Sequence, residues 1–294
     1  MDRAATTAIE DLWRYPVKSM MGEALTSVDI TPAGVIGDRG WATRDEVRGG
    51  IRGAKKIAGL MRFAARYVDE PSTARPVPHA EITLPDGTAA RTDATDVDER
   101  VSAALDHKVR LFPLQPPDAL EHYRRGAPDS DDLLEELRGI FGREAGEPLP
   151  NFAAFPPELI EYESPPGTYF DAFPLLLVTR QSLATLGADV RRFRPNLVID
   201  APDATDRYPE LAWAGRTLRV GDDVELRVEM GCPRCVMVTL PFADLPQDRA
   251  LLRRIVREAG QDLGVYASVV HPGTVRVGDA VSVGPGLAQG EDQG

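Results

Sequence analysis

The chain is short of cysteine, lysine and histidine, and it has no long apolar run. Cys232 and Cys235 are the only cysteines among 294 residues, which excludes a disulfide framework and fits a reducing compartment. The four histidines, His79, His107, His122 and His271, stand far apart, so no pair shares a helix face as a zincin-type site requires. Of 34 basic residues only Lys18, Lys55, Lys56 and Lys108 are lysine, a skew that codon usage explains without any selection for phosphate-reading arginine. The longest apolar stretch, Phe173 to Val178, falls far below the roughly 20 residues of a membrane span. Asp2, Glu10 and Asp11 stand where a secretory signal carries basic and then apolar residues. A cytoplasmic protein without membrane association is therefore expected. Positive charge is also in deficit, at a formal net −12, which argues against a nucleic-acid partner.

What is present describes an ordinary folded protein. With 43% hydrophobic residues, the chain can bury the core of one large domain or two closely packed ones. Its 26 glycines and 25 prolines punctuate short Val/Ile/Leu/Thr runs, a pattern of short strands and turns, mainly β with some α. Asp86-Gly87 marks a turn between two extended runs, a helix is expected over about 96–105, and VRLFPL (109–114) closes this part as a strand. From about 115 to 166 the composition shifts to Pro, Asp and Glu around one amphipathic helix, Asp131 to Phe141, and reads as a connection between domains. Then come PLLLVT, a short helix beginning near Thr179, and two echoes, TLRVGDDVELRV (217–228) and TVRVGDAVSVG (274–284). Each echo describes a tight hairpin or a strand corner in a barrel wall. Between them lies a helix over roughly 247–260 that ends at glycine.

The GCPRC string admits four readings. It is half of a zinc site, a thioredoxin-like dithiol, two small core residues, or a single thiolate for a soft transition metal whose other ligands a cofactor supplies. The first needs further Cys or His ligands, and no other cysteine exists. The second needs a helix after the first cysteine, whereas VMVTLP after Cys235 is β-like.

YPVKS (Tyr15 to Ser19), GDRGW (Gly37 to Trp41), DAFPLLLVT (Asp171 to Thr179), FRPN (Phe193 to Asn196) and GCPRC (Gly231 to Cys235) occur in that order. Together they resemble the MOSC-domain proteins, specifically the amidoxime-reducing branch, from about residue 8 to 284. The resemblance implies a MOSC-type β-barrel packed on a smaller N-terminal β-barrel domain. The divisions are then 5–115 for the N-terminal domain, 116–165 for the connection, 166–285 for the MOSC domain and 286–294 for a disordered tail.

The resemblance also implies a molybdenum cofactor, in which a molybdopterin dithiolene gives the metal two sulfurs. The third sulfur is the second cysteine of the motif, Cys235, which becomes the catalytic and metal residue, with Cys232 its neighbour. Thiolate suits such a metal, and Arg234 is expected to help keep the thiol ionised. Lys18, Ser19 and Arg39 match residues that hold the cofactor, Lys18 and Ser19 as a phosphate contact. Arg194 and Asn196 offer a forked donor and an amide to the pterin. Asp171, Ala172 and Phe173 form a cofactor-touching loop, and Ser182 is a lesser match that also suits a helix start.

The activity implied is two-electron reduction of N-hydroxylated compounds: amidoximes, hydroxamic acids or N-hydroxylated bases. The oxygen leaves as water, and electrons come from a separate donor protein, a ferredoxin, flavin reductase or cytochrome b5-like partner. No side chain stands out as a general acid. The segment after Cys235, VTLPFADLP, departs from the Thr-Val-Asp-Pro-x-Thr-Gly run of mitochondrial members. The competing readings are a non-catalytic cofactor carrier or sulfur-transfer module, and a plain thiol redox protein.

Overall fold

A computed structural model describes residues 7–286; the tail expected from 286 onward lies, past Gly286, outside the described residues. The first third supplies strands β1 (Ala8–Arg14), β2 (Glu23–Leu25), β3 (Ser27–Thr31), β4 (Gly34–Val35), β5 (Trp41–Asp45), β6 (Ala64–Tyr67), β7 (Ala80–Thr83), β8 (Ala89–Arg91) and β9 (Val109–Pro113). Helix α1 (Val97–Leu105) lies before β9, and α2 (Leu120–Tyr123) and α3 (Leu133–Phe141) follow it. The remainder gives β10 (Leu175–Thr179), α4 (Arg180–Leu186), β11 (Leu197–Asp200), β12 (Arg216–Val220), β13 (Val224–Pro233), α5 (Arg249–Glu258), β14 (Asp262–His271), β15 (Gly273–Arg276) and β16 (Val281–Gly286). The chain is mostly strand with few helices, as its composition implied.

The main sheet has eight strands in the order β16-β12-β13-β14-β10-β11-β1-β2. It curls until β1 meets the chain entering β16: Ile9 donates to Asp279 O at 2.9 Å, and Val281 donates to the Thr7 carbonyl at 2.8 Å. β3 and β4 form a further sheet with β15. Residues 8–36, from the first third of the sequence, therefore complete the sheets of the last third. Their alternating residues Ile9, Leu12, Val28 and Ile30 share one core with Leu175, Leu177, Leu218, Leu226 and Val265. The exchange runs both ways. Leu240 and Phe242, beyond the cysteine motif, pack into the core that β5 to β9 and α1 build around Leu60, Met61, Phe63, Ile82 and Val101.

Local chemistry explains most boundaries. Asp132 caps α3 by accepting from the Leu134 and Glu135 amides, and Thr179 caps α4 by accepting from Ser182. α5 buries Leu251, Leu252 and Ile255, each contributing roughly 1.5–3 kcal/mol by leaving water. The first echo is a hairpin, β12 to β13, turning at Gly221. The second is a corner, since β15 pairs with β3 while β16 pairs with β12. The segment after Cys235 is not extended as its β-like composition suggested; Val236–Thr239 forms a 3-10 turn. Two contacts impose it: Thr239 Oγ1 donates to Val236 O at 2.8 Å, and the buried Arg192 guanidinium takes the Val238 and Leu240 carbonyls.

Candidate functional site

The five strings converge on one cavity of about 680 Å³, closed on its other side by residues between 125 and 163. Lys18, Ser19, Arg39, Asp171, Ala172, Phe173, Arg194, Asn196, Cys232 and Cys235 all line it. Ser182 does not: it is fully buried, and its Oγ contacts Thr179 Oγ1 at 3.0 Å and Glu210 Oε2 at 2.5 Å. Its role is to satisfy a buried carboxylate beneath α4.

Backbone strain marks three of the lining residues. Ser19, Arg39 and Arg194 have φ of 69°, 50° and 56°, a left-handed conformation that costs a non-glycine residue about 1–2 kcal/mol. Such residues persist where their surroundings over-determine them, and they gather at functional sites. Ser19 is held because its Oγ accepts the Ala54 amide at 2.9 Å. Position 53 must be glycine, since a Cβ there would sit 2.7 Å from that Oγ. The Arg39 amide donates to Tyr15 O at 2.7 Å. The guanidiniums of Arg39 and Arg194 lie 5.3 and 4.1 Å from the Tyr15 ring centroid, within cation–π range. Arg194 also donates to Met20 O, and its Nη2 is buried without a partner. Burial, then the neighbouring Arg39 charge, brings the Arg194 guanidinium down to about 10.

Lys18 is buried, and its Nζ donates to Tyr169 O at 2.7 Å, Asp171 Oδ1 at 2.8 Å and Ser164 Oγ at 3.3 Å. Burial lowers its pKa against the pull of Asp171. Asp171, half exposed to the cavity, is held far below the usual carboxylate range: burial works against this, but the Lys18 and Lys55 charges prevail. Lys55 is a site residue that no motif announced. Its Nζ lies 3.1 Å from Glu163 Oε1 and 3.8 Å from Asp171. Asn196 faces the cavity, yet its side chain serves the backbone, accepting from Leu176 N at 3.1 Å and donating to Trp13 O at 3.4 Å. The amide thus ties β10 to β1.

The two cysteines differ sharply. Cys232 is buried, and its sulfur accepts from Arg234 Nη1 at 2.8 Å; Arg234 Nη2 goes to Phe193 O at 2.7 Å. Arg234 makes its hydrogen bonds to Cys232 and a carbonyl, so its help to the Cys235 thiolate is through charge alone, the smallest of the causes acting on that thiol. Cys235 is only partly buried, and burial pushes its thiol up while Lys55 is the first charge opposing that shift. Both cysteines are free. Cys235 precedes a single 3-10 turn rather than an α-helix, so the helix-dipole activation of a thioredoxin-like dithiol is missing.

Among the described residues, no three His, Cys, Asp or Glu side chains gather to hold a metal ion. A metal at Cys235 would take its remaining ligands from a cofactor. The cavity fits such a group: the buried Lys18 and Arg194 and the partly buried Lys55 and Arg39 line it, the Arg194 Nη2 donor is unspent, and one thiol is free.

Comparison with known proteins identifies the family. Residues 6–108 match the model of the MOSC N-terminal beta barrel domain, and residues 167–282 match that of the MOSC domain. The chain is similar to the mitochondrial amidoxime reducing component 2 of Bos taurus, 23% identical over 303 aligned positions that cover 93% of this chain and 82% of that protein. It is also similar to the mitochondrial amidoxime-reducing component 1 of Mus musculus, 25% identical over 321 positions covering 93% and 81%. Among solved structures, the YuaD protein of Bacillus subtilis aligns over 95% of this chain and 96% of its own, with a TM-score of 0.40 and 12% identity.

Proposed function

The chain belongs to the MOSC-domain proteins that carry an N-terminal barrel domain, and on that premise we propose that it is a molybdenum-cofactor-dependent reductase of N-hydroxylated compounds, supplied with electrons by a separate donor protein. The observation that carries the reading is Cys235, a free thiol in a cavity whose floor holds four cationic side chains, Lys18 and Arg194 buried and Lys55 and Arg39 partly so, one with an unspent donor.

In this reading Cys235 provides the protein's sulfur ligand. Lys18, Lys55, Arg39 and Arg194 bind the anionic parts of the cofactor, and the Ser19 region shapes the pocket through its fixed backbone. When bound, the molybdenum centre supplies two-electron chemistry at the substrate N–O bond. Lys55 favours the ionised sulfur, and the Cys232–Arg234 pair keeps the second sulfur occupied and away from substrate. Asp171 and Glu163 remain ionised: burial opposes this in each, but the lysines beside them win, Lys18 and Lys55 at Asp171 and Lys55 at Glu163. Neither is then a ready proton donor; in this reading the proton that the departing hydroxyl takes up would come from water.

The test is molybdenum and pterin content of the wild type and Cys235→Ser, both made in a host that synthesises the cofactor. Near-stoichiometric metal in the wild type, at least tenfold lower in the variant, together with benzamidoxime reduction by a chemical donor, is the expected result. Wild-type protein that holds neither metal nor pterin would overturn the proposal.

A further inference from the structure

The segment read from sequence as a connection forms one wall of the cavity, charged at its ends by Arg125 and Glu163 and apolar between 128 and 160. Of its lining residues between 128 and 160 only Glu136 carries charge, and Glu136 is bound by Lys56. Its aromatic rings form a ladder: Phe141 meets Phe152 edge-on at 5.6 Å, and Phe152 meets Phe155 at 6.3 Å. The inner end of the ladder is fastened to the cysteine motif. Arg143, two residues after Phe141, donates to Arg234 O at 3.1 Å, and a Cβ on Gly142 would lie 3.6 Å from Val236, the residue after Cys235. The middle ring and the rim beyond the ladder open to solvent, Phe152 being 42% and Ile160 86% exposed. Large apolar side chains left half-exposed inside a concave site mark a place for a ligand's apolar surface.

Resting on the reductase reading above, we infer that the Phe141–Phe152–Phe155 ladder is the subsite for the uncharged apolar body of the substrate. The N-hydroxylated head lies at the Cys235 end and the body along the rings. The occupant is a small molecule because the ladder is continuous with the cavity that holds Cys235. Its body is uncharged because Glu136, the one lining carboxylate between 128 and 160, is already neutralised by Lys56, and Glu163 at the far end of the segment by Lys55 and Arg125. The protein therefore favours aromatic or long-chain N-hydroxylated compounds over small polar ones.

The experiment compares benzamidoxime with acetamidoxime, which share a head and differ in body, using cofactor-loaded wild type and Phe152→Ser. The expected result is a kcat/KM ratio favouring benzamidoxime in the wild type, and a fall in that ratio of about tenfold in the variant, carried by KM. The ratio cancels any difference in folding or cofactor loading. A wild-type ratio near one, or a ratio unmoved by Phe152→Ser, would overturn the subsite while leaving the reductase reading intact. If neither compound is reduced, the reductase reading fails, and saturation-transfer NMR on the same protein still decides the subsite. Benzamidoxime signal above that of acetamidoxime, lost in Phe152→Ser, supports it; equal signals, or none lost, reject it.

Discussion

The cavity has two walls built on opposite principles. The floor is charged and buried: Lys18, Arg39 and Arg194 hang on strand-to-loop junctions, two of them in strained backbone, and Lys18 is locked by three oxygen acceptors. The opposite wall is apolar and half-exposed: α3 buries none of its residues fully, and Leu133 and Ile160 face water. A floor of this kind cannot adapt, because moving any charge strands its partner in a low-dielectric site. The wall can adapt, because apolar contact is non-directional and proportional to area. One surface suits a single invariant ligand, and the other suits ligands that vary in shape.

This difference can be broken most forcefully at Lys18. Lys18→Met removes the charge from three acceptors, two of them on buried residues, and we expect a loss of about 2–3 kcal/mol in denaturant unfolding; an unchanged midpoint would mean that the floor is not rigid in this sense. The next effect concerns pH. Asp262, beside Arg234 and Arg143 on β14, is pushed up to about 6, first by burial and against both arginine charges. Its folded pKa lies above its unfolded one, so its ionisation penalises the fold fully above pH 6 and not at all below pH 4. Asp262→Asn should therefore gain stability at pH 7.5 and none at pH 4. The gain should be about 1 kcal/mol once solvent screening is allowed for, read from denaturation midpoints at both pH values. The apolar wall should show no comparable pH term. The smallest effect is at its rim: Ile160→Ser should change stability by less than about 0.5 kcal/mol, and its effect on the benzamidoxime-to-acetamidoxime ratio should be weaker than that of Phe152→Ser.

The two walls were also unequally legible in the sequence. The floor is written in short strings whose residue types carry their chemistry, and strings separated by up to about 200 residues come to lie side by side. Lys55 escaped notice because GAKKIAG has no distinguishing pattern, and its importance comes only from Glu163 and Asp171 arriving from a distant segment. Ser182 and Asn196 stand out in the sequence as candidates to hold the cofactor, but a string cannot show that their hydrogen bonds are spent on Glu210 and on backbone. The wall was opaque for a different reason. The apolar face of α3 is plain in Leu133, Leu137 and Ile140, yet periodicity says that a face exists and not what it faces. Mainly β architecture followed from composition and turn spacing. The placement of β1 to β4 in the sheets of the last third did not, because alternation specifies a buried face and never the partner strand.

That exchange of strands has a consequence for how the protein comes into being. Strand β1 pairs on one side with the nearby β2, but its other edge waits for remote residues: Ala8 pairs with Asp200 and Ile9 bonds to residue 279. At roughly 5–20 residues per second, that wait is of the order of ten seconds, during which an alternating, half-apolar hairpin stands with one edge open. Folding dominated by contacts so remote in sequence is slow. The N-terminal strands are thus the segment most in need of protection in the nascent protein, and a fragment starting after residue 36 would lack four strands that its own sheets require.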